Sequence, residues 1–157
     1  MPQSLVKNYI HIVFSTKRRY PFIDEQIKSE LFSYLAGICK NKESYPIAVG
    51  GHVVHIHVLC LLSRKIALMS LVEELKSHSS KWIKFKGEQY KDFYWQNGYA
   101  GFFVKPSEVD VVTNYIQKQE EHHKKVSFKE EYKSFLNNYN IEYDERYVVG
   151  LNSMIRN

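Results

Sequence analysis

The run "GGHVVHIHVLCLL", Gly50 to Leu62, constrains the fold more than any other stretch of the chain. Its valines and isoleucine are β-branched and suit a packed, pleated surface, so the run reads as a buried core strand. Inside it stand two histidines, His55 and His57, one residue apart. Side chains alternate along a strand, which puts these imidazoles side by side on one face and predicts His52 and Ile56 on the other. Two imidazoles so placed can share a divalent metal. The competing reading is a pair of core histidines, each hydrogen-bonded to backbone or water. Two adjacent buried imidazoles are costly to satisfy separately, and a metal would need a further ligand from elsewhere in the chain.

At 157 residues the chain is one domain's worth, without internal repeats or low-complexity tracts. Residues 1–138 are therefore read as one compact domain and residues 139–157 as a tail. Asn8 to Ser15 alternates like a strand and runs into the basic turn Lys17, Arg18, Arg19. A helix follows, with Asp24 as its N-cap and Ile27, Leu31, Leu35 and Ile38 at helical spacing. Tyr45 to Leu62 reads as two strands pivoting at Gly50 and Gly51. Ile66 to about Phe85 brings Leu68, Leu71, Val72, Leu75 and Trp82 onto one helical face. Two short aromatic segments around Gly98 end at Pro106, where Ser107 is placed to cap a third helix running to about Lys125. A capping box, Ser127 to Glu130, then starts a fourth. This order predicts an α+β domain: a ferredoxin-like or RRM-like antiparallel sheet with helices mainly on one face, plus a C-terminal helix. Such folds serve many functions, so the site must decide.

Net charge of +5 and a pI near 9.1 favour a polyanionic partner. The 12 tyrosines and 15% aromatic content, interleaved with lysine, suit single-stranded nucleic acid, although a basic protein with a tyrosine-rich core has the same composition. No apolar run approaches the roughly 18 residues of a membrane span. The N-terminus lacks a secretory pattern, so a cytoplasmic protein with no membrane partner is expected. Cys39 and Cys60 have no zinc or redox spacing and read as buried reduced thiols. No Gly-rich loop ending in Lys-Ser or Lys-Thr points to a nucleotide cofactor.

On the third helix, Val109, Val112 and Ile116 form the apolar stripe, and Tyr115, Gln119 and His122 line one edge of it at spacings of four and three. By spacing alone, such a tyrosine and glutamine are ordinary border residues. His122 beside Tyr115 is a candidate base, while His122 and His123 also suit a solvated helix end, where cations favour the dipole. For DNA contacts, the candidates are Lys17, Arg18, Arg19, Lys76, Lys81 and Lys84, each equally a solvated cation. Trp95, Tyr99 and Phe102 are placed to stack bases or to fill the core.

"HIVFSTKRRYPFI", the central "HIH", "WQNGYAGFFVKPSEVDVVTNYIQKQEEHHKK" and "FKEEYKSFLNNYNIEYDERYVV" together resemble the single-tyrosine HUH transposases of the insertion-sequence 200/605 type, over nearly the whole chain. The resemblance implies that His55 and His57 ligate a divalent metal, that Gln119 is the third ligand and that Tyr115 is the nucleophile. Two-tyrosine relatives carry a second tyrosine where this chain has Gln119. The implied activity is cleavage and rejoining of single-stranded DNA at hairpin-marked transposon ends, through a 5′-phosphotyrosine and a free 3′-hydroxyl. The implied cofactor is Mg2+ or Mn2+, and the implied assembly is a homodimer, with Tyr115 delivered in cis or in trans. One position departs: Val54 stands where the family usually has aspartate. Two further readings stay open, a domesticated repeat-associated transposase acting on chromosomal hairpins and a noncatalytic single-stranded-DNA-binding module.

Overall fold

Alternation sets the two faces of β1, Tyr9–Ser15, in the computed structural model, which describes residues 3–141. Ile10, Ile12 and Phe14 point into one core, whereas Val13 joins a second core across the sheet and His11 reaches His57. β1 pairs antiparallel with β3, His55–Leu61, and with β4, Ala100–Phe103, while β3 also pairs with β2, Tyr45–His52. The strand order is β2-β3-β1-β4. With α1, Lys28–Asn41, joining β1 to β2 and α2, Leu68–Lys84, joining β3 to β4, this is the ferredoxin-like α+β arrangement anticipated from the sequence. The histidine strand lies inside the sheet, and His55 through Cys60 are all buried.

α1 and α2 cover one face. Leu31, Leu35, Leu71 and Leu75 lose all exposure there, each contributing about 1.5–3 kcal/mol of burial. Asp24 caps the turn into α1, its Oδ1 accepting the backbone N–H of Gln26 and Ile27 at 3.1 and 3.3 Å. Cys39 and Cys60 are buried free thiols, one on α1 and one on β3, and their mutual hydrogen bond lowers the first thiol's pKa and raises the second's. Trp95 and Phe102 are core residues and Tyr99 is half-buried, so filling the core is what the two buried rings do.

The opposite face is covered too, by α3 (Val109–Gln117), α4 (Gln119–His122) and α5 (Phe128–Asn138). Ile116 of α3 packs with Ala48, Leu59 and Val104, and Phe128 and Leu136 of α5 pack with Val13, Ala100 and Phe102. α5 opens on the predicted capping box: Ser127 Oγ accepts the Glu130 N–H at 3.2 Å, and the Ser127 N–H donates to Glu130 Oε1 at 3.3 Å.

Four local expectations are corrected. The hairpin does not pivot at Gly50 and Gly51, because β2 continues to His52 and the chain turns at Val53 and Val54. Gly50 is glycine because α3 lies on it: a Cβ there would stand 2.5 Å from the Ile116 carbonyl oxygen. His52 and His55 are consequently cross-strand partners on the same face, not on opposite ones. The third helix breaks at Lys118 (φ −105°, ψ 26°) instead of running to Lys125, and Ser107 sits in a 3-10 turn, Pro106–Glu108, without capping it.

Residues 142–157 of the predicted tail lie outside the described residues, while Tyr139, its first residue, still packs on Phe102 at 4.7 Å between ring centroids. Among the described residues no helix is long and apolar enough to cross a membrane.

Candidate active site

β3 presents His55 and His57 to the face under α3–α5, their ring centroids 5.1 Å apart. α3 ends at Gln117, and the break at Lys118 immediately precedes Gln119, whose side-chain Nε2 donates to the Tyr115 carbonyl at 3.1 Å. That bond turns the amide oxygen inward, where Gln119 Oε1 lies 3.0 Å from His55 Nε2 and 3.0 Å from His123 Nε2. From α5, Glu131 Oε1 lies 3.1 Å from His57 Nε2, 3.7 Å from His55 Nε2 and 3.4 Å from His123 Nε2. The Tyr115 hydroxyl donates to the other oxygen of the same carboxylate, Glu131 Oε2, and stands 3.3 Å from His122 Nε2. Behind His57, its Nδ1 is 2.7 Å from His11 Nε2. His55 is held by stacking on Phe128, 4.4 Å between centroids, and its Nδ1 has no hydrogen-bond partner among the described residues.

The fold thus brings Tyr115, His55, His57, Gln119 and His122 together. Sequence reasoning missed Glu131 and His11, and it treated His123 as a solvated helix end. In fact the His123 side chain is only 4% exposed and bonded to Gln119, since the break at Lys118 folds this segment back onto the sheet, where His52 stacks on it at 5.7 Å. The signal for Glu131 was available: Phe128, Glu131, Tyr132, Phe135 and Leu136 form one helical stripe, so a carboxylate stands on the apolar face of α5.

Burial dominates the electrostatics. It lowers His55 well below the ordinary imidazole range, with neighbouring His57 adding to the effect, and it brings His57 to about 3 and His123 to about 4, each helped by His122. These imidazoles are neutral, the form that offers a lone pair to a metal. The same burial raises Glu131 to about 8, because neutral histidines supply no charge to offset its desolvation. A cation placed among these groups would restore the ionised carboxylate.

The donor spacing fits such a cation. Metal–ligand bonds of about 2.1 Å put neighbouring ligand atoms about 3.0 Å apart in an octahedral set and about 3.4 Å apart in a tetrahedral one. The separations of Gln119 Oε1 from Nε2 of His55 and His123, and of Glu131 Oε1 from Nε2 of His55, His57 and His123, run from 3.0 to 3.7 Å and are of that size. His55, His57 and Glu131 alone offer three ligand atoms mutually within 4.8 Å, as do His122, His123 and Glu131. Beside the cluster, a cavity of about 450 Å³ opens between α3 and α5, lined by Val112, Tyr115, His122, Glu131, Ser134 and Phe135 among others.

The basic candidates are spread more widely. Arg19 lies 5.4 Å over Phe128, the ring that stacks on His55, and so borders the site. Lys17 and Lys84 flank the exposed ring of Tyr94 at 5.5 and 4.1 Å, and Arg18 is exposed beside them. Lys76 is different: its ammonium donates to the carbonyls of Gln96 at 2.8 Å and Gly98 at 2.6 Å, and burial lowers its pKa to about 8. It ties α2 to the loop before β4, on the side of the sheet away from the histidines. Val54, at the departing position, packs its side chain against the core that holds Phe128 of α5.

No curated protein is significantly similar to the chain in sequence. Among solved structures, the fold matches a candidate transposase from Deinococcus radiodurans R1 with TM-score 0.59 at 18% identity, covering 76% of this chain and 96% of that one. It also matches a REP-associated tyrosine transposase bound to a REP hairpin with TM-score 0.58 at 14% identity, covering 80% of this chain and 74% of that one. The family model described as "Transposase IS200 like" matches residues 4–119, a span that takes in β1, both site histidines, Tyr115 and Gln119. A sheet of this order, a histidine pair on its central strand and a tyrosine aimed at the pair from α3 accompany that match, and the chain belongs to the IS200-like transposase family.

Proposed function

We propose that this transposase cleaves and rejoins single-stranded DNA at hairpin-marked ends with Tyr115 as the nucleophile. One observation carries the reading: the Tyr115 hydroxyl converges with His55, His57 and Gln119 on a single buried cluster, although these residues come from different elements. Attack of the phenolic oxygen on phosphorus would form a 5′-phosphotyrosine and release a 3′-hydroxyl. Exchange of one phosphodiester for another keeps the bond energy, so rejoining requires no nucleotide. His55, His57 and Gln119 would hold a divalent cation, Mg2+ or Mn2+, which would supply positive charge for the phosphate oxygens. Tyr115 is positioned by the geometry of α3, which supplies part of the rate as pre-paid orientation. Gln119 fixes the end of that helix through its bond to the Tyr115 carbonyl. His57 Nδ1 and His11 Nε2 are hydrogen-bonded, and the His57 tautomer that donates Nδ1–H to His11 is the one whose Nε2 lone pair would face a metal.

The cavity between α3 and α5 gives the scissile phosphate its route to Tyr115. Lys17, Arg18, Lys84 and Tyr94 form a cationic aromatic patch for the strand, and Arg19 approaches the site itself. In this reading residues 1–138 are the catalytic domain, residues 139–157 are a tail, and the working unit is a homodimer. The hairpin-bound structural neighbour supports hairpin DNA as the substrate class, and equally a second reading in which the protein serves dispersed chromosomal hairpins. Incubation with a hairpin-bearing oligonucleotide and Mn2+ should give a protein–DNA adduct that survives denaturation and is absent in Tyr115→Phe. Salt-sensitive hairpin binding with no adduct would instead identify a noncatalytic binding module.

A further inference from the structure

We propose that Glu131 is the carboxylate that joins the metal to the nucleophile, with Oε1 a ligand of the cation beside His55 and His57, and Oε2 the acceptor of the Tyr115 proton. The inference rests on Tyr115 being the nucleophile. It goes beyond that reading by giving a catalytic role to a residue of α5, which lies outside the span matched by the family model.

The geometry divides the two oxygens. Oε1 faces three imidazole nitrogens at 3.1 to 3.7 Å, and Oε2 takes the hydrogen bond of the Tyr115 hydroxyl. Glu131 is 4% exposed, and nothing in the surrounding stripe of Phe128, Tyr132, Phe135 and Leu136 calls for a carboxylate. A buried acid with no cation nearby costs stability, and an aliphatic residue would pack the α5 face more favourably. His122 Nε2 also approaches the phenol, at 3.3 Å, but it lies 3.2 Å from Glu131 Oε2 as well and is the more exposed group. It therefore acts as a neighbour of the carboxylate, not as the first acceptor. In the reaction the proton passes from the Tyr115 hydroxyl to Glu131 Oε2, and the phenolic oxygen forms the new bond to phosphorus. The bond from phosphorus to the 3′ oxygen breaks, and that oxygen takes a proton from water. In rejoining, the 3′-hydroxyl returns its proton to solvent as its oxygen attacks phosphorus, the phosphotyrosine bond breaks, and Glu131 returns its proton to the phenolate.

The test uses the full chain, a hairpin oligonucleotide and Mn2+, with two readouts: Mn2+ affinity by electron paramagnetic resonance without DNA, and the single-turnover rate of adduct formation. Glu131→Gln should weaken Mn2+ binding by about 10-fold or more, because a charged carboxylate ligand becomes a neutral amide. It should slow the adduct by about 10² to 10⁴-fold, the usual worth of a positioned base. Tyr115→Phe should abolish the adduct and leave Mn2+ affinity intact. Wild-type affinity or a wild-type rate in a folded Glu131→Gln protein overturns the assignment of Glu131. An adduct in Tyr115→Phe overturns the underlying reading instead. Should Glu131→Gln fail to fold, Glu131→Asp carries the same test, since it keeps the charge but withdraws it by one methylene, and unchanged affinity and rate in that variant again refute the role.

Discussion

Gly50→Ala isolates what the close approach of α3 to the sheet contributes. A methyl at this position would stand 2.5 Å from the Ile116 carbonyl oxygen and 2.9 Å from Ile116 Cγ2, whereas ordinary contact begins at 3.4 Å. The backbone oxygen cannot rotate away, so α3 must retreat from β2 by about 0.9 Å, the difference between 3.4 and 2.5 Å. Ile116 adjoins Tyr115, and Gln119 follows three residues later, so both move with it. A misplacement of about 1 Å at a reacting group costs on the order of 10²-fold in rate. Overpacking of this kind costs about 1–3 kcal/mol of stability, which in a domain of this size lowers Tm by about 2–12 °C. The assay is single-turnover adduct formation with a hairpin oligonucleotide and Mn2+, at a temperature well below both melting points. Gly37→Ala is the matched control: it lies within α1 with nothing within 4 Å of the added methyl, so it should gain about 0.5–1 kcal/mol at full rate. A Gly50→Ala protein with wild-type rate and Tm would refute the argument. So would a rate loss that Gly37→Ala reverses in the double variant, because the defect would then be one of stability alone.

Ser127→Ala removes the side chain that accepts the Glu130 N–H at the start of α5 and should cost about 1 kcal/mol, read as a drop in Tm by thermal denaturation. Lys17→Ala with Lys84→Ala should weaken hairpin binding and reduce the salt dependence of affinity by roughly 1.4 in log–log slope, about 0.7 for each single-strand phosphate no longer neutralised. Lys76→Met should leave that slope unchanged and lower Tm, because its ammonium is bound to the Gln96 and Gly98 carbonyls.

Element order was legible because the periodicities were clean: strict alternation through Tyr9–Ser15, a helical stripe through Leu71, Val72 and Leu75, and a capping box at Ser127 all appear where the pattern places them. The hairpin was misread for an instructive reason. A glycine pair has two uses, freedom in a turn and room for another backbone, and a sequence does not distinguish them until the packing helix is known. Here Gly50 makes room for Ile116. Moving the turn to Val53 and Val54 transfers His52 to the face of His55, since cross-strand partners share a face and a shift of register reverses every side chain.

The site was legible to the extent that its residues share an element. His55 and His57 are fixed by the period of one strand, so spacing groups them, whereas Tyr115 and Gln119 stand on either side of the break at Lys118 and were singled out by the family resemblance. Glu131 reaches them only because α5 folds back over the sheet, 74 residues after His57 in sequence. What local reading does offer is an inconsistency: a glutamate within the stripe of Phe128, Tyr132, Phe135 and Leu136 violates the pattern of an amphipathic helix. Such violations cost stability, so a folded chain that retains one needs a compensating partner. Among the described residues that compensation is incomplete, because burial keeps the histidines neutral and pushes the Glu131 carboxyl up to about 8. The buried acid and the neutral imidazoles are complementary to the same thing, a positive charge between them. A helix with a misplaced acid and a strand with misplaced histidines are thus two halves of one anomaly.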